Sequence, residues 1–257
     1  MSFIITISVQ EGIVMATDSR TTYSQIVKSD EKNITNLAVG SSDHTDKLFV
    51  FENLKNNIKV GVSWHGQAHT GIMQIPVLIN EFGQNFKDFD QKIENPQEIP
   101  ELFFEFIREK LGDISARKLE TGFHIACYMK IDGKNLPFVY DIKMKNKNVT
   151  LLSQDENPVI SWNGEGDILS RLIHPVALNQ NGSFTELPFF PVHAQFFSLM
   201  DAVEFALFSV SITKKMMKFQ QRATTVGGET EVLVLYPHGE HKWVKKKSLK
   251  NNIDGWV

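Results

Sequence analysis

Apolar positions alternate with polar ones over Phe3–Val9, FIITISV, and again over GIVMATDS after the turn residues Gln10, Glu11 and Gly12, which predicts a β-hairpin at the very start of the chain. Chain starts are ordinarily frayed. A strand beginning beside the first residue therefore suggests that the terminus itself has a role. From about Thr21 to Thr45 the sequence turns polar and loses any sustained period, so a long loop is expected there. DKLFVFE and NIKVGVSW, around the turn residues Asn53 to Asn57, predict two more strands. With short connections, the four strand segments are expected to form one antiparallel meander.

After Gly66 the spacing becomes helical through GQAHTGIMQIPVLINEF, where Pro76 must stand near an end or make a kink. A second helix is predicted in ELFFEFIREKL, whose Leu102, Phe103, Phe106, Ile107 and Leu111 form one core-facing stripe. Strand patterns return in GFHIACYMKID, LPFVYDIKM, NVTLL and PVISW, and WNGEGDILSRLI passes from a strand through glycines into a helix. Beyond Pro188 to Pro191, Ser198 and Asp201 signal the start of another helix, which buries Leu199, Ala202, Val203, Ala206 and Val210. ETEVLVLYP and HKWVKK close the chain as strands. Strands interrupted twice by paired helices indicate an α+β arrangement with helices layered on antiparallel sheets. Lacking internal repeats and linkers, residues 1–257 read as a single domain.

Composition narrows the function. With 42% hydrophobic and 22% charged residues, 257 residues can bury a substantial core. Lys and Arg total 27 against 30 Asp and Glu, so no global charge calls for nucleic acid or an anionic membrane as a partner. The sole cysteine, Cys127, excludes an intrachain disulfide and fits a reduced, cytoplasmic compartment, with the thiol expected to be buried and inert. Neither a signal peptide nor an apolar run long enough to cross a bilayer is evident. His65 and His69 stand four apart, but no neighbouring carboxylate completes a metal signature, so they read as surface or capping residues. HKWVKKKSLK reads as the polar face of an edge strand in preference to a basic docking segment.

EGIVMATDSRTT, followed by DKLFVF and VGVSWHGQAH, resembles the opening of proteasome-type N-terminal-nucleophile (Ntn) hydrolases, and DAVEFALFSVSITKK with TTVGGETEVLVLYPHGEHKWV resembles their closing helix, double-glycine turn and strands. On these motifs the chain is identified with bacterial proteasome beta-subunit-like proteins. The resemblance implies a four-layer αββα sandwich of two antiparallel sheets flanked by helices. It also implies a peptidase whose nucleophile is Ser2, exposed by removal of Met1, with its own α-amine as base. An α-amine suits that work because its ordinary pKa of about 7.7–8.0 lies near working pH. Asp18 and Lys47 would set the electrostatics, and Gly66, Gly164 and Glu165 would border the oxyanion and substrate cleft. The long stretch between Asp18 and Lys47 leaves Lys28 and Lys32 as alternatives for the cation. A peptide or protein substrate, self-association into a ring or another homo-oligomer, and no cofactor or metal are further implications.

Some residues depart from the family pattern. Glu165 stands where the family has a serine, and RATTVGG supplies Ala223 and Val226 where an aspartate and a serine usually brace the nucleophile. Neither alanine nor valine can do so. Glu165 could compensate as a carboxylate near the amine. The alternative is a catalytically silent subunit retained for assembly.

Overall fold

The computed structural model describes residues 2–30, 33–153, 157–180 and 182–247. Strands β1 (Phe3–Val9) and β2 (Gly12–Thr17) form the N-terminal hairpin, β3 (Thr21–Asp30) and β4 (Asn33–Ser42) a second, and β5 (Leu48–Asn53) and β6 (Ile58–Gly66) a third. Helices α1 (Ile75–Asp88), α2 (Glu98–Leu111) and α3 (Asp113–Lys118) follow, then β7 (Thr121–Ile131), β8 (Lys134–Lys143), β9 (Asn148–Leu151) and β10 (Val159–Gly164). Helix α4 (Asp167–Ile173), the small hairpin β11 (Val176–Leu178) and β12 (Phe184–Glu186), helix α5 (Leu199–Met217), β13 (Glu231–Leu235) and β14 (His241–Lys245) complete the order.

Two five-stranded antiparallel sheets dominate, one ordered β10-β1-β2-β13-β14 and the other β5-β6-β7-β8-β9. Strand alternation explains how they stack, because successive side chains point to opposite faces. Along β1, Phe3, Ile5 and Ile7 join Ala202, Ala206 and Val210 of α5 in one core. Val60, Val62 and Trp64 of β6 join α1, α2 and α3 in a second. Between the sheets lie Ile13, Met15, Leu233 and Leu235 from one and Leu48, Ala126 and Val139 from the other. The result is the α+β, four-layer αββα sandwich expected from the sequence. Toward the end where β1 begins, the inter-sheet layer turns polar. Thr6 Oγ1 lies 2.9 Å from His124 Nδ1, and Asn163 Nδ2 lies 2.8 Å from His124 Nε2.

Three local expectations need correction. Residues 21–45 are not a long loop, since most of them form the β3–β4 hairpin, a two-stranded sheet of its own. An exposed strand lacks the apolar alternation that betrays a half-buried one, and Tyr23 and Val39 are both more than half exposed. The four N-terminal strand segments do not make one meander either. β1–β2 and β5–β6 lie in opposite sheets. Helix α1 starts only at Ile75, with Pro76 in its first turn, so His65 and His69 share no helix face. His69 Nδ1 instead accepts from the Gly71 N–H at 2.9 Å, a local cap.

Other readings match the structure. Ser198 and Asp201 form a reciprocal capping box at the start of α5. Phe103 and Phe106 are buried against Phe82. HKWVK is the edge strand β14. Cys127 is wholly buried, and burial pushes its thiol up to about 12.

Candidate active site

The site is built around Asp18, the residue after β2. Its carboxylate is wholly buried and accepts four donors. Oδ1 takes the Phe3 N–H at 3.0 Å and Lys47 Nζ at 2.9 Å, and Oδ2 takes the Gly227 N–H at 3.0 Å and the Arg20 N–H at 3.1 Å. Four donors, one of them the Lys47 amine, leave neither oxygen of this buried carboxylate without a partner. Because one oxygen serves both the Phe3 amide and Lys47, the cation is fixed beside the peptide joining Ser2 to Phe3.

Lys47 precedes β5 and is wholly buried. Its ammonium also donates to the Arg20 carbonyl and lies 5.9 Å from the centre of the Trp64 ring. Burial pulls the ammonium below its ordinary range, and Asp18 opposes that pull. Trp64 locks the segment by donating its indole N–H to the Asp46 carbonyl at 2.9 Å and its backbone N–H to the Lys47 carbonyl at 3.2 Å. Of the alternative cations, Lys32 lies outside the described residues, as does the side chain of Lys28.

Ser2 is buried and enters β1 opposite the end of β10. Its carbonyl accepts the Glu165 N–H at 2.8 Å. Gly164 makes that approach feasible: its φ is +88°, and a Cβ there would lie 1.8 Å from the Ser2 carbonyl oxygen. The same Cβ would lie 3.5 Å from the Cβ of His65, so β6 closes on this point from the other sheet. Gly66, next to His65, has φ +98° and backs onto the Glu120 carbonyl. His65 itself is neutral, because burial lowers it to about 4. The structure thus brings Ser2, Asp18, Lys47, Gly164 and Glu165 into one cluster, with Gly66 at its border.

Several participants escaped the sequence reading. Glu165 does not hold a free carboxylate toward the terminus: Oε1 accepts from Thr225 Oγ1 at 2.9 Å and Oε2 from Arg222 Nη1 at 2.9 Å. In RATTVGG the hydrogen-bonding side chains are Arg222 and Thr225, on either side of Ala223, and both reach Glu165. Val226 is a core residue. Arg20 pairs with both carboxylate oxygens of Asp43. Lys247 Nζ lies 2.7 Å from Asp46 Oδ1 and 3.9 Å from the buried Glu231 Oε2. A charged residue at the head of RATTVGG is the only legible signal for Arg222. Nothing in spacing links Lys247 to Asp46. Among the described residues, no group of three His, Cys, Asp or Glu side chains could hold a metal ion.

No family model matches the chain, and no curated protein matches it. Its fold is similar to solved structures of Anbu (ancestral beta-subunit) from Yersinia bercovieri, with 16% identity, a TM-score of 0.59 and coverage of 99% of this chain and 92% of that one. The helical assembly of the Anbu complex from Pseudomonas aeruginosa gives 18%, 0.58, 99% and 92% in the same order. Anbu from Hyphomicrobium sp. strain MC1 gives 14%, 0.58, 99% and 93%. These findings correct the identification with bacterial proteasome beta-subunit-like proteins. At this identity a shared proteasome-like fold follows, and membership of that sequence family does not.

Proposed function

We propose that the chain is an amide-hydrolysing subunit on a proteasome-like fold, with Ser2 as its N-terminal nucleophile once Met1 is removed. Ser2 Oγ bonds to the carbonyl carbon of a peptide, and its proton passes to the Ser2 α-amine. The amide C–N bond then breaks, and the leaving nitrogen takes that proton. Water, deprotonated by the same amine, hydrolyses the resulting ester and restores the serine. Lys47 stabilises the deprotonated oxygen, Asp18 holds Lys47, and backbone groups near Gly66 or Gly164 hold the oxyanion. No metal or organic cofactor enters the scheme.

The observation that carries the proposal is the convergence of Phe3 N–H and Lys47 Nζ on Asp18 Oδ1, which puts a buried cation one carboxylate oxygen from the chain start. The test is intact-mass analysis of the purified full chain before and after a β-lactone. The expected result is loss of one methionine, then a gain of one whole lactone that disappears in Ser2→Ala. A chain that keeps Met1 in the cell, or labelling that persists in Ser2→Ala, overturns the reading.

One observation favours a second reading, a catalytically silent subunit kept for assembly: Glu165, which stands where the family has a serine, directs its carboxylate to Thr225 and Arg222. Either subunit is proposed to self-associate, in a ring or another homo-oligomer, in the cytoplasm. Exposed aromatics on one stretch support this, since Phe184 is 71%, Phe190 99% and Phe196 75% accessible. No helix among the described residues is long and apolar enough to cross a membrane.

A further inference from the structure

The turn after β10 is held from two directions. On the backbone side, the Glu165 N–H donates to the Ser2 carbonyl at 2.8 Å, and the Gly166 N–H donates to the Gly164 carbonyl at 2.9 Å. On the side-chain side, the Glu165 carboxylate is gripped by Thr225 and Arg222, and Arg222 Nη2 reaches on to Asp167 Oδ1 at 3.2 Å. Two residues beyond Thr225, the Gly227 N–H donates to Asp18 Oδ2 at 3.0 Å, and the Gly227 carbonyl accepts the Ser19 N–H at 3.1 Å. One short segment, residues 222–227, therefore touches both halves of the site. It grips Asp18 through its backbone and the Ser2 turn through its side chains.

We propose that Arg222 and Thr225 are positioning residues which, acting through Glu165, set the Ser2 carbonyl in register with the Asp18–Lys47 pair. The proposal rests on the N-terminal serine reading. Two neutral or singly bonded partners would leave a turn containing two glycines free to rock. A carboxylate held on both oxygens, once by a hydroxyl and once by a planar guanidinium, is fixed in direction as well as in place. Orientation is what an attacking oxygen needs, since displacements of about 1 Å can cost up to about a hundredfold in rate. Neither Arg222 nor Thr225 carries a proton in the reaction, which separates this role from acid–base catalysis.

The test uses the full Met1-free chain and a β-lactone, following acylation by intact mass over a range of lactone concentrations and pH. Arg222→Gln and Thr225→Val are each expected to lower the saturating acylation rate about tenfold. The half-saturating concentration is expected to stay within about twofold, and the midpoint of the pH profile to stay in place. Arg222→Lys is expected to recover part of the rate, because an ammonium reaches one carboxylate but cannot fork. Arg222→Gln combined with Glu165→Gln is expected to be no slower than the slower single variant, since both act through one contact. Arg222 is one-third exposed, so its loss is not expected to unfold the chain; Arg222→Lys and Thr225→Val carry the test if Arg222→Gln does not fold. Wild-type labelling with unchanged rates in the folded variants overturns this proposal alone, as does a shifted pH midpoint. Absence of labelling in the wild type overturns the serine reading, and this proposal with it.

Discussion

Asp18 carries four hydrogen bonds on a side chain with no access to water, and one partner is a buried ammonium. Removing either charge strands the other, but the two losses are unequal. Asp18→Ala leaves Lys47 charged in the interior and frees three backbone N–H groups as well, so a loss of about 3–5 kcal/mol is expected from urea unfolding. Lys47→Met leaves Asp18 with its three backbone donors, and its cost is expected to be smaller. Equal losses in the two variants would contradict this account. Gly164→Ala should act differently again, because the added methyl meets the Ser2 carbonyl. Its expected signature is loss of β-lactone labelling at Ser2.

At the scale of elements, packing overrules propensity in α1. Glycine inside a helix costs about 1 kcal/mol relative to alanine, so Gly83→Ala would stabilise an isolated helix. In the fold a Cβ on Gly83 would lie 2.1 Å from the Phe51 ring, which is itself fixed by contacts with Phe49 and Phe82. The substitution is therefore expected to destabilise by about 1–3 kcal/mol, as overpacking does, and an unchanged or raised urea midpoint would refute that. The apolar stripe of α2 and the Ser198–Asp201 box of α5 were legible because the sequence carries their period and caps. The β3–β4 hairpin was not, because apolar positions that face solvent, as Tyr23 and Val39 do, leave no inward alternation to read. Exposed Phe190 and Phe196 belong to this scale too. Replacing both by serine is expected to lower the sedimentation coefficient if that stretch joins copies, and to leave it unchanged if it does not.

Across the whole molecule, the interior between the sheets decides how stability responds to acid. His65 and His124 are held neutral, lowered by burial to about 4 and about 3 respectively. The unfolded chain takes up a proton at each from about pH 6.5 downward, while the folded chain does not. Stability is therefore fully present above that pH and falls as pH drops toward the folded values, by about 1.4 kcal/mol per pH unit for each histidine. Asp141 and Glu231, whose carboxyls burial pushes up, favour the folded state on protonation and offset part of the loss at the acid end. Urea unfolding at pH 7.5, 6.0 and 5.0 is expected to give a steadily falling midpoint, with a shallower fall in His124→Gln. A midpoint independent of pH across that range would contradict the buried neutral assignment.

Hydrophobic period, turn residues and caps are local properties, so the chain itself determined the α+β layering and most of its strands and helices, while Ser2, Asp18 and Lys47 became candidates only through the resemblance of its motifs to a known family. Which hairpins share a sheet was decided only in three dimensions, since pairs such as β1 with β10 and β2 with β13 join segments far apart in sequence. The same holds for the grip of Arg222 and Thr225 on Glu165, across separations of 57 and 60 residues. Side-chain hydrogen bonds at that distance leave no period behind them. They exist only because two sheets and their helices bring the segments within reach.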